Sequence, residues 1–134
     1  MTLTAHAGPA ADALGKCLAE NTTGKERKDL ARWMFVAMTA HPEMKILSAA
    51  TESDKEQTSR VMAALFTKLL SESCPVQAKA AMQSEGSQAM QSAFGTLGQL
   101  AMQELMSNQD VTKAIGDFER FVDQKKVEAA MSTK

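Results

Sequence analysis

Leu30, Trp33, Met34, Ala37, Met38 and His41 stand at positions i, i+3, i+4, i+7, i+8 and i+11. Val61, Met62, Leu65, Phe66, Leu69 and Leu70 repeat the pattern further along. That is the period of an α-helical face rather than the alternation of a strand. The first run is widened by Phe35 and Val36, so a helix apolar nearly all round should lie centrally, with Trp33 largely buried. Tyrosine is absent, aromatic residues make up 4% of the chain, and Ala, Met, Leu, Gln, Lys and Glu dominate. These are helix formers. The chain of 134 residues is therefore expected to be all-α, a single-domain bundle of about six to seven short helices.

Punctuation residues divide it. Pro9, Pro42 and Pro75 each suit a first helical position. The first helix runs from Pro9 to about Glu20, carrying Leu14 and Leu18 beside Cys17. A second spans about Lys25 to Ala40, opened by a Thr23/Glu26 capping box, and His41-Pro42 ends it. A protonated His41 would there favour the helix C-terminus. After a short third helix from Pro42, a Ser53/Glu56 capping box opens a fourth that reaches about Ser73. The fifth stops near Gly86. The sixth, about Ser87 to Met106, should bury Met90, Ala93, Phe94, Leu97, Ala101 and Leu105. The last carries Val111, Ile115, Phe118 and Val122. Residues 1–8 read as a disordered N-terminal remnant, 9–124 as the helical domain and 125–134 as a fraying tail.

Several function classes find no support. A net charge of −1 gives no field for nucleic acid or an anionic membrane. No run approaches the roughly 20 apolar residues of a membrane span. Thr23-Gly24-Lys25 imitates the end of a P-loop, but the first glycine of that motif falls on Ala19 and its hydroxyl on Glu26. The two histidines, His6 and His41, with cysteines 57 positions apart, lack zinc-ligand spacing. Met34/Met38 and Met102/Met106 are one helical turn apart, as soft copper ligands could be. They share stripes with Leu, Trp or Phe, which favours core packing. No metal and no cofactor is expected.

Ala5-His6-Ala7 fits a signal-peptidase site, which points to export; were Met1 the native start, a cytoplasmic location would follow instead. In an oxidising compartment Cys17 and Cys74 should pair as a disulfide. The run KCLAENTTGKERKDLARWMFVAMTAHPEM from Lys16, with the later Cys74-Pro75, resembles small exported all-helical bacterial proteins of unknown function. The resemblance covers the first third of the chain plus Cys74. It implies a periplasmic or secreted location and brings no catalytic residue with it. Periplasmic acid-stress chaperones offer an analogy at the level of fold only.

Between Glu85 and Glu104 the chain is uncharged. Gln88, Gln91, Gly95, Gly98, Gln99 and Gln103 form a face that is polar enough for water and cheaper to desolvate than a charged one. The expected activity is thus contact with another protein, immunity- or inhibitor-like or chaperone-like, without catalysis. The alternative is a small hydrolase or metal-binding periplasmic protein using His41.

Overall fold

The computed structural model describes residues 8–132, and eight α-helices and no strand occur among them. They are α1 (Pro9–Glu20), α2 (Gly24–Met38), α3 (Pro42–Lys45), α4 (Glu52–Lys68), α5 (Pro75–Glu85), α6 (Ser87–Met106), α7 (Gln109–Gly116) and α8 (Gln124–Met131). One π-helical turn (Leu69–Ser73) continues α4, and a 3₁₀ turn (Asp117–Phe121) continues α7. The chain is all-α. The stretch read as an N-terminal remnant, with Ala5-His6-Ala7, lies outside the described residues except for residue 8.

α6 is the spine: α1, α2 and α5 pack on it, and α4 packs on α2. Its inward face is Ala89, Ala93, Leu97 and Ala101, all buried at steps of four. Small side chains there let α1 approach closely. A Cβ added at Gly15 would stand 3.3 Å from Thr96 Oγ1 and 3.7 Å from Ala93 Cα. Around this seam sit Ala11, Leu14 and Leu18 of α1, Leu30 and Ala31 of α2, Leu65 and Leu69, and Ala78 and Ala81 of α5.

Most of the leucines expected in the core are there, but the aromatic and methionine side chains expected beside them are not. Trp33, Met34, Met62, Leu70, Met90 and Phe94 are only partly buried against the core. Phe35, Met38, Val61, Phe66 and Leu105 are exposed, and so is Ala37. The cause is geometric. An alanine-built seam brings helix axes too close to admit indole, phenyl or long thioether groups, which are displaced to the edges.

Cys17 and Cys74 form the expected disulfide, with Cα atoms 6.0 Å apart. It staples α1 to the junction between the π turn and α5. A second long-range tie holds the start of α1. Gly8 offers no side-chain cap, and Glu85, at the end of α5, accepts from Ala10 N (3.2 Å) and Ala11 N (3.0 Å). A carboxylate there also meets the positive end of the helix dipole. Gly86, with φ +71°, makes the turn into α6 that a side chain would strain.

The Thr23/Glu26 capping box is present. The box of α4 is not Ser53/Glu56 but Thr51/Asp54: Thr51 is extended and its hydroxyl accepts from Asp54 N at 3.0 Å. The same pattern fits twice in this stretch, and the earlier match starts the helix. Glu56 instead binds Arg60, 2.6 Å away. His41 also differs from expectation. α2 ends at Met38, and His41 is the N-cap of α3, its Nδ1 accepting from Glu43 N at 3.1 Å. Arg27 donates to Ala19 O (2.6 Å) and Thr22 Oγ1 (3.1 Å), tying α2 to the end of α1.

Glu26 also receives Lys68 Nζ at 2.8 Å, linking the start of α2 to the end of α4. Lys68, and then the Thr23 backbone N–H, hold the Glu26 carboxyl below its ordinary 4.5. The Thr51 N–H lowers Asp54 similarly. A depressed folded-state pKa contributes stability that is complete above the unfolded-state value and lost as pH falls through the folded one. The urea midpoint should therefore decline as pH drops below about 4.5. Glu26→Gln should flatten that decline, and a urea series at several pH values measures both.

Candidate functional site

α2 supports α4 on one side and α6 on the other, and between them lies an open groove of about 1080 Å³. Leu30, Trp33 and Met34 contribute from α2; Ser59, Met62, Ala63 and Phe66 from α4. The α6 wall consists of Phe94, Gly95, Gly98, Gln99, Met102 and Gln103. The α4 and α6 walls meet where the Phe66 and Phe94 rings stack at 4.6 Å between centroids, tilted by 44°. No lining residue is charged or titratable, and the polar side chains are those of Ser59, Gln99 and Gln103. Such a surface can bind an apolar body and orient it by a few hydrogen bonds, but it offers no acid, base or nucleophilic pair.

The structure places Gly95, Gly98, Gln99 and Gln103 on this wall. Gln88 and Gln91 are exposed on the same side of α6, one to two turns towards its N-terminus, and do not line the groove. A Cβ at Gly95 or Gly98 would meet nothing within 4 Å. The aromatic and methionine lining escaped the sequence reading because it was assigned to the core. Its signal was a surplus of bulky apolar groups on three helices, more than an alanine-lined interior can accommodate.

The methionine pairs divide likewise. Met34 and Met102 line the groove, whereas Met38 and Met106 are exposed. His41 stands outside the groove, and Cys17 is committed to the disulfide. No group of three His, Cys, Asp or Glu side chains that could hold a metal ion occurs among the described residues. No helix among them is long and apolar enough to cross a membrane. No protein-family model, curated protein sequence or solved structure matches the chain.

Proposed function

We propose that this is an exported, non-enzymatic protein that acts by holding an amphipathic helix of another protein in the groove between α4 and α6. An immunity, inhibitor or chaperone role would use such contact. The observation that carries the reading is the pair of glycines. Gly95 and Gly98 lie inside a 20-residue helix and face open space, and each costs about 0.5–1 kcal/mol relative to alanine. The fold makes no use of the room they leave; an occupant lying close along α6 would. Exposed methionines favour the same reading, because flexible thioethers re-pack around different apolar anchors. The disulfide and the resemblance noted above favour export.

Gly95→Ala and Gly98→Ala should each raise the unfolding free energy by about 0.5–1 kcal/mol, read from urea denaturation. For binding, Trp33 is a built-in reporter. A neutral synthetic helix with leucines at i, i+3 and i+7 should shift its emission to the blue, and a scrambled peptide should not. Gly98→Leu should abolish the response. Equal responses to both peptides, or an undiminished response in Gly98→Leu, would refute the reading.

A further inference from the structure

The last helices carry an apolar surface of their own that the fold leaves bare. Val111, Ile115, Phe118 and Val122 were expected as one buried helical stripe. Instead α7 stops at Gly116 and a 3₁₀ turn follows. Val111 and Val122 are half-buried, while Ile115 is 51% exposed, Phe118 62% and Phe121 74%. The 3₁₀ turn has three residues per turn, so Phe118 and Phe121 share one side. Ile115, one step of three earlier, continues the row. α7 packs on α6 and the turn that follows it, and among the described residues α8 packs appreciably on no other helix.

We infer that this row docks into the groove of a second copy of the chain, reciprocally, so that the protein self-associates by exchanging its C-terminal segments. The inference rests on the groove being a helix-binding site and names one occupant for it. Three observations select a second copy. The groove lining is uncharged, and so are the anchors Ile115 and Phe118; Arg120, which lies 4.7 Å over the Phe121 ring, brings its partner Asp117 with it at 3.5 Å, so it is not left unpaired on burial. Among the described residues none of α7 or the 3₁₀ turn lines the chain's own groove, and local bonds fix the joint before α7. Asn108 Oδ1 accepts from Asp110 N and Val111 N, and the Thr112 hydroxyl donates to Met106 O at 2.8 Å. The area also suffices only with two-fold symmetry. At the exposures observed, each anchor offers roughly 100–150 Å² of new burial. Matched on the groove side and doubled by reciprocity, that is on the order of 1,400 Å², inside the range of stable interfaces. One contact alone falls short.

Sedimentation velocity of the full chain over a concentration series should show a monomer–dimer equilibrium. Phe118→Asp, on an exposed position, and Gly98→Leu, in the groove, should each raise the dissociation constant roughly 30-fold or more with unchanged helical circular dichroism. Should Gly98→Leu misfold, Gln99→Glu tests the same wall. A peptide of residues 109–124 should dissociate the dimer and, added to Phe118→Asp, should shift Trp33 emission. A wild-type chain that stays monomeric throughout, or a dimer that survives both substitutions, overturns the inference. If the wild type is monomeric and Trp33 still responds to the synthetic amphipathic helix, self-association alone falls. If Trp33 responds to neither peptide, the groove reading falls with it.

Discussion

Replacing Cys17 and Cys74 together by alanine should lower the unfolding free energy by about 4 kcal/mol. The bond closes a loop between residues 57 apart in sequence, and releasing it returns that loop's freedom to the unfolded chain. For a chain of this size the thermal midpoint should fall by roughly 10–15 °C. The helices themselves should persist, because Ala11, Leu14 and Leu18 still bury one face of α1. Calorimetry of the double variant beside the oxidised protein measures the difference. A loss below about 1 kcal/mol would mean that the reduced unfolded chain already keeps these segments close.

The second large effect concerns a leucine rather than the tryptophan. Leu97→Ala should destabilise by about 2–5 kcal/mol. Leu97 is fully buried on the inward face of α6, in a seam too closely packed to collapse around the void. Trp33→Ala, removing a far larger group, should cost less, because the indole is half-buried against an open groove. Paired urea titrations settle the order, and Trp33→Ala proving the costlier change would contradict the placement of the core.

Why the helices were legible and only part of the core was follows from these two residues. Periodicity and punctuation act locally: Pro9, Pro42, Pro75 and Gly86 fix helix ends through backbone geometry alone, and the boundaries there agree closely, whereas α7 stops early at Gly116 and α8 occupies most of the stretch read as a fraying tail. A periodic stripe says which residues share a face. It does not say whether that face meets the core or a groove. Ala89, Ala93 and Ala101 carry a weak hydrophobic signal yet occupy the centre, while Trp33 and Phe66 carry a strong one and line the rim. Half of the site was visible in the uncharged run containing Gly95, Gly98, Gln99 and Gln103. The α2 and α4 contributions depend on helix packing, which no single stretch encodes. The continuation of α4 as a π turn had no local marker that we can name.

The ties on α1 bear on how a chain of this kind is made. Synthesis proceeds from the N-terminus, so α1 leaves the ribosome well before anything that secures it. Its covalent partner Cys74, its cap Glu85 and the α6 surface beneath it all lie in the second half of the sequence. A nascent chain ending before residue 74 holds α1 as an amphipathic helix with no place to dock. Its leucines must wait in water, or on whatever accompanies the chain, until α5 and α6 have emerged. α1 is thus made before every element that fixes it.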